Sequence, residues 1–413
     1  MAATYAWGAS NALLKTRFRK LVNTFYKDYP LLGMLKKKVV TFGGRTYNHT
    51  VQYSPGGHAS ATFANSQDHA TDSSTVEFAL YPKKMYGVKV FDGLFLANMK
   101  SSEESYITKM AELQKDALDM VNHSLASAIY GKYYGSIGRI SSVATTSVLT
   151  LTVSTDVQRF TPGMRLLGDA SETACAGTCV MVVTKVNRSS GTINITEVTQ
   201  NPDANMYLFP EGSENLSLTG LSQWIPATAP TGSEATMFGA TVDRSVDVEN
   251  LAGCRLDGSA YSSREELLID AASQVWQYTR GKVTHFVMNP KQLAALIKEL
   301  GAKVQYSRVS AQGTSGPIAG VGFDGIKVYG AGGAVDVFAD PWCPLNTCYG
   351  INVEEISILS CGGQELPAIL EEDGNPILRV YNADAYEFRV GCYPVIVIDR
   401  PGCFTNVTMP TLT

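Results

Sequence analysis

Apolar and polar positions alternate with two different periods along this chain, and each change of period marks a change of element. Between Ser101 and Gly131 (SSEESYITKMAELQKDALDMVNHSLASAIYG), Met110, Leu113, Ala117, Val121, Leu125 and Ala128 recur at steps of three and four. Thr108, Glu112, Lys115, Asp119 and Asn122 line the other side. That spacing predicts one amphipathic helix with a single buried face. Ser101 with Glu104 reads as a capping box, and Gly131 as the left-handed residue that ends the helix. At ~1.5 Å per residue the helix runs roughly 42 Å, more than a compact domain needs to cross its core, so it reads as a spine. Two shorter helices follow the same rules. One runs from Ser263 to Arg280, with Ser263 and Glu266 as its box and Gly281 closing it; the other starts with Asn289 as cap and Pro290 in the first helical position. KVTHFVM between them reads as a buried strand.

A period of two governs Arg45 to Tyr53 (RTYNHTVQY) and Val76 to Tyr81 (VEFALY), while SPGGHASATFANSQDHATDSST between them offers almost nothing to bury. The pattern predicts a long hairpin or flap. A two-stranded ribbon is marginal alone in water, so it either folds back on its own body or lies on another subunit, and the thin apolar content favours the second. Met85 to Phe91 (MYGVKVF) is a further strand. Residues 138 to 213 hold short strands (SVLTLTV, CVMVVTKV, TINITEV, MYLF) separated by turns such as SSG and NPDAN, which predicts a small inserted β-barrel or sandwich. From Gly301 onward the chain reads as mainly β.

Composition narrows the class. The 413 residues, 45% apolar, can bury ample core and suggest two to four domains. The longest apolar runs, such as Tyr393 to Ile398, fall far short of a bilayer span. MAATYAWGAS lacks the regions of a signal peptide, so the chain is expected to be made and kept in cytoplasm. Its eight cysteines then read as thiols, and Cys175 and Cys179, the one near pair, as two small loop residues rather than a bridge or metal site.

Charge is less even than the net value of −4 implies. Residues 1 to 40 hold Lys15, Arg17, Arg19, Lys20, Lys27, Lys36, Lys37 and Lys38 against Asp28 alone, a basic arm on an acidic body. The arm reads either as contact with an acidic partner, protein or nucleic acid, or as the solvated face of a helix packed through Leu13, Leu14, Phe18, Leu21 and Phe25. His49, His58 and His69 lie in the flap near Asp68 and Asp72. Their spacing matches no zinc motif, so they read as polar loop residues. Gly313 to Gly322 lacks the Lys-Ser/Thr ending of a phosphate loop and reads as a flexible loop. With no G-x-S-x-G elbow, H-E-x-x-H helix or dinucleotide fingerprint, the sequence points to no catalytic residue, metal or cofactor.

The order of these elements, with FYKDYPLLGMLKKK entering the flap, RSVDVENLAGCRLDG before the second helix, THFVMNPKQLAALIKELGAKVQY, and GFDGIKVYG with VFADPWCP, resembles one family across nearly the whole chain. That family is the major capsid proteins of tailed bacteriophages. The resemblance implies an α+β, Hong Kong 97-like fold. It divides the chain into a basic N-terminal arm (1–40), an extended loop (41–84), a peripheral domain (85–137) with its spine helix at 101–131, the inserted β-domain (138–213), a return to the peripheral domain (214–261), an axial domain (262–395) and a C-terminal return to the peripheral domain (396–413). It implies hexamers and pentamers in an icosahedral shell around double-stranded DNA, held without sequence-specific binding and without a membrane. Assembly is expected in the host cytoplasm, with a separate scaffolding protein, a portal and cement or decoration proteins as partners, and the virion capsid as destination. Inter-subunit contacts are then expected from the flap residues Arg45, Tyr47, Tyr53, Pro55, Gly56, Gly57 and Phe63, and from Lys36, Lys37 and Lys38 of the arm. Some relatives weld their shells through a flap lysine and a neighbour's asparagine; Arg45 to Pro82 contains no lysine, so a non-covalent shell is expected. An encapsulin-like nanocompartment, or a soluble α/β enzyme, is the alternative.

Overall fold

The computed structural model describes residues 29–41, 44–93, 103–145, 147–175, 177, 179–197, 199–239, 242–300, 326–361, 366–371, 376–381 and 383–412. The chain divides into two compact units. The first takes in Met1–Trp224, Thr236–Val242 and Ile356–Asp399, the second Ile225–Ala235, Asp243–Glu355 and Arg400–Thr413.

In the first unit, helix α1 (Pro30–Met34) buries Leu31 and Leu32, and strand β1 (Lys36–Val40) follows it directly. The flap consists of β2 (Tyr47–Ser54), a short helix α2 (Phe63–Asp68) and β3 (Ser74–Leu80), the two strands antiparallel. Strand β4 (Met85–Asp92) leads toward the long helix α3 (Glu103–Ile129), which packs on β4 and on β19 (Ala385–Cys392). β4 and β19 pair antiparallel along their whole length, and β17 (Ala368–Ile369) and β18 (Ile377–Arg379) pair with β19. Gly87 sets how closely helix and sheet approach. A Cβ there would lie 2.8 Å from both the Ala117 carbonyl oxygen and Val121 Cγ2, so any side chain would lift the helix off the sheet. A second sheet joins β1 to β16 (Ile356–Cys361) in parallel and β16 to β20 (Pro394–Ile398) antiparallel.

Residues 138–210 close on themselves. β5 (Gly138–Thr145), β6 (Val148–Leu151), β7 (Arg165–Asp169), β8 (Cys179–Asn187), β9 (Thr192–Glu197) and β10 (Tyr207–Pro210) form a barrel in the order β10-β5-β6-β9-β8-β7. Every pairing is antiparallel, and register shifts in β5 and β8 bend those strands as closure requires. Ile140, Leu149, Phe160, Leu166, Met181, Ile193 and Leu208 are fully buried inside it.

The second unit holds a six-stranded sheet of β11 (Cys254–Asp257), β12 (His285–Met288), β13 (Ile326–Gly330), β14 (Gly333–Ala339), β15 (Thr347–Ile351) and β21 (Thr405–Thr408), in the order β11-β21-β15-β12-β14-β13. Helices α4 (Arg264–Thr279) and α5 (Pro290–Leu300) pack against it through Leu267, Leu268, Ala271, Val275 and Leu296, all buried. Asn289 does cap α5, its Oδ1 accepting from Lys291 N at 3.1 Å, with Pro290 in the first position.

Several expectations are corrected. Of the arm (1–40), residues 1–28 lie outside the described residues, and α1 and β1 are held in the first unit by three buried leucines and a five-residue parallel ladder. The boundary at 395 is replaced: 356–399 belong to the first unit, and the C-terminal segment adds β21 between β11 and β15 of the second. An apolar strand pattern announces burial but does not name the partner strand. Gly131 is not left-handed; the last turn tightens instead, with Tyr130 N donating to Ser127 O and Gly131 N to Ala128 O. Ser101 and Gly313 to Gly322 lie outside the described residues. Ser263 makes no side-chain cap. Glu299 of α5 takes the role, accepting from Arg264 N at 2.9 Å while its carboxylate pairs with the Arg264 guanidinium. Arg280 rather than Gly281 takes the left-handed position (φ 55°), and Gly281 is needed for contact, since a Cβ there would sit 2.9 Å from Cys403 Sγ. Cys179 lies on β8, wholly buried, and neither it nor Cys175 is in a disulfide.

Because the barrel closes around its own core, residues 138–213 expressed alone are expected to melt in one cooperative transition. Leu149→Ala should cost it about 2–5 kcal/mol. A broad, featureless melt of the isolated segment, followed by near-ultraviolet dichroism, would count against a self-contained domain.

Candidate assembly surface

The flap has a packed base and a bare tip. In the ladder, Tyr47 opposes Leu80, His49 opposes Phe78 and Val51 opposes Val76. Val51, Phe78 and Leu80 are buried. Phe78 stands edge-on to Trp224 and Phe238, both at 5.4 Å, and those two rings lie 4.5 Å apart. Ala79 N donates to Phe238 O at 2.7 Å, so backbone and side chains together fix the base. His49 Nε2 lies 3.6 Å from Asp399 Oδ1 on the same side. Burial of Phe78 alone is worth about 1.5–3 kcal/mol.

Toward the tip this packing stops. The register shifts between Gln52 and Ser54, which makes Tyr53 the bulged residue, and Pro55 beyond it is exposed. Gly56 and Gly57 take φ of 72° and 62°, and a Cβ on Gly56 would fall 2.2 Å from the Asp72 carbonyl oxygen, so only glycine permits this turn. The turn and α2 are held by polar contacts. Gly56 N donates to Ser54 Oγ at 3.3 Å and Ser60 N to Ser66 Oγ at 3.1 Å, and the rings of His58 and His69 are 5.1 Å apart. α2 buries no residue, and Phe63 at its start is 82% exposed. Arg45 is exposed at the other end of the hairpin, and Tyr47 is half-buried.

Lys36, Lys37 and Lys38 are exposed on β1, an outer strand of the β1-β16-β20 sheet, and not on an arm. At the flap's base Lys83 faces its own body. Its amine lies 5.9 Å from the Tyr133 ring and burial holds it below the usual lysine range, while its backbone N donates to Pro394 O.

One surface escaped the sequence reading. β4 turns Tyr86, Val88 and Val90 outward, at 53%, 41% and 59% exposure, on the face away from α3. The signal was present in MYGVKVF, whose alternate positions Tyr86, Val88 and Val90 are all apolar; a strand with one solvated face normally shows polar residues there. Among the described residues no group of three or more His, Cys, Asp or Glu side chains is placed to hold a metal ion, and no helix is long and apolar enough to cross a membrane.

No family model and no curated protein matches the sequence. Among solved structures the chain is similar to the capsid asymmetric unit of cyanophage A-1(L), with a TM-score of 0.52 and 13% identity over 93% of each chain. Lower similarities are to the capsid of a native GTA particle (TM-score 0.45, 10% identity, 92% of this chain and 90% of that one) and to the holo-SrpI encapsulin complex from Synechococcus elongatus (TM-score 0.44, 8% identity, 93% and 90%). The chain thus has a phage-capsid fold.

The contrast between base and tip sets an expectation for the unassembled subunit. Phe78→Ala should lower its stability in denaturant by about 3–5 kcal/mol. Phe63→Ala should change it by less than ~0.5 kcal/mol, as for an exposed position. Equal losses from the two substitutions would show that the tip is packed on its own chain.

Proposed function

We propose that this chain is the major capsid protein of a tailed bacteriophage, assembling through hexamers and pentamers into an icosahedral shell that encloses double-stranded DNA. The observation that carries the reading is the flap, a capsid-fold hairpin whose base is locked by Phe78, Trp224 and Phe238 while its tip buries nothing in α2. A subunit with such an element is completed by its neighbours, and the tip supplies contact area in the assembled state that it withholds from the monomer. In this reading the flap lies over an adjacent subunit, and Tyr53, Pro55, Gly56, Gly57 and Phe63 are its contact residues. A separate scaffolding protein, a portal and cement or decoration proteins complete the particle.

Negative-stain microscopy of the purified protein, alone and with its scaffolding partner, tests the reading directly. Closed shells are expected, and small soluble oligomers under both conditions would overturn it. Particles filled with an enzyme instead of DNA would assign the shell to a nanocompartment. Deletion of residues 54–75 should leave a folded, soluble subunit that forms no closed shell; normal particles from that deletion would exclude the flap from assembly.

The shell is held without covalent links in this reading. Arg45 cannot replace a flap lysine, because its guanidinium stays protonated and is a poor nucleophile, and Lys83 is turned to its own body. Mature particles boiled in denaturing detergent with reductant should run as one band near 44.5 kDa. A ladder of heavier species would reveal a bond-forming pair elsewhere.

A further inference from the structure

Two oppositely charged features of the first unit are not matched to each other within the described chain. The flap from Arg45 to Pro82 carries Asp68, Asp72 and Glu77 against Arg45 alone. Asp68 and Asp72 are both exposed at the tip, and among the described residues no ion pair engages either. β1 presents three consecutive exposed lysines, Lys36 to Lys38, on an outer strand. Successive strand residues rise only ~3.3 Å and point to opposite faces, so the three ammonium groups crowd both sides of one short edge.

We propose that the acidic flap tip of one copy docks on the lysine strand of a second copy, Asp68 and Asp72 facing Lys36, Lys37 and Lys38. The proposal rests on the shell-protein reading and names the surface on which the flap lands. Charge complementarity selects this partner over nucleic acid: the flap is the one acidic, lysine-free element that the shell reading already places on a neighbouring subunit. Lysines on an outer strand also blunt edge-to-edge pairing between sheets. That role needs a charge of either sign, whereas docking an acidic tip needs a positive one, and the sign separates the two roles. Each exposed ion pair is weak and salt-screened. The latch therefore acts through its repetition at every copy of the contact, and it supplements the apolar contact of Phe63.

The test uses full-length protein under conditions where the wild type forms shells. If the wild type forms none, the shell reading itself fails. At ~0.1 M salt, K36E/K37E/K38E and D68K/D72K are each expected to lose closed shells, and the five substitutions combined should regain them. Because reversed charges repel, each separate set should recover part of its yield in ~1 M salt, where the screening length falls to ~3 Å. Unchanged shells from either set, or no recovery in the combined variant, would overturn the docking while leaving the shell reading intact. Normal shells of K36E/K37E/K38E that retain less DNA would also overturn it and assign the lysines to the nucleic acid. A second measurement avoids variants. A carbodiimide joins a lysine amine to an adjacent carboxylate as an amide, itself taking up the water lost. In wild-type shells it should produce covalent dimers and larger multimers, with peptides spanning 36–38 and 68–72 joined between chains. Their absence from the cross-linked peptides would refute the contact.

Discussion

The aromatic contact of Phe78 with Trp224 and Phe238 is the constraint on which the flap depends, since it converts a ribbon that is marginal by itself into a rigid projection. Phe78 is fully buried, and the Ala79 amide is bonded to the carbonyl of Phe238, one of the rings that enclose Phe78. The anchor lies at the end nearest β4, so the chain leaving the flap enters the sheet under α3 with its direction already set. Everything beyond the bulge at Tyr53 is left to polar contacts and glycine geometry. A hairpin fixed at one end and unburied at the other has a defined reach without a defined partner inside its own subunit.

A similar economy of contact holds beneath the long helix. Gly87 brings the α3 backbone to van der Waals distance of β4, and the inward side chains of β19, Phe388 and Val390, are buried with it. The opposite face of β4 shows Tyr86, Val88 and Val90 to solvent, with the Arg389–Glu387 ion pair on the same face of β19. The sheet is thus finished on one side only. In the inserted segment the balance is reversed: the barrel leaves no strand edge open, and its core is lined throughout by its own residues.

The second unit shows how helix ends are completed by distant residues. Glu299 caps α4 from α5 and holds the Arg264 guanidinium, whose Nε also donates to Gln292 Oε1, and Gln292 Nε2 donates to the Pro410 carbonyl. Helix, helix and C-terminal segment are joined in one chain of bonds around a buried cation, a grouping that is costly to break because removal of one member leaves a buried polar group unpaired.

The sequence by itself determined the elements whose signal is local. The 3.6-residue period of the long helix, the Asn289–Pro290 start of α5, the alternating flap strands and the turn-separated strands of 138–213 were all legible, because propensity and burial pattern act within a few residues of each other. It also determined that the flap tip has few apolar side chains and that the flap carries no lysine. What only the tertiary structure decided was partnership. The pairing of β1 with β16, the insertion of β21 between β11 and β15, and the cap supplied by Glu299 join residues far apart in the chain. Gly131 and Gly281 looked alike as helix-ending glycines, yet the first follows a tightened turn and the second permits contact with Cys403. Lys36 to Lys38 read as an arm because residues 1 to 40 carry eight basic side chains against Asp28 alone. Their place on a strand came from Leu31, Leu32 and Leu35 just before them, whose burial holds the segment against the body. Period and charge are properties of neighbours in sequence, whereas register and capping depend on which segments the core brings together.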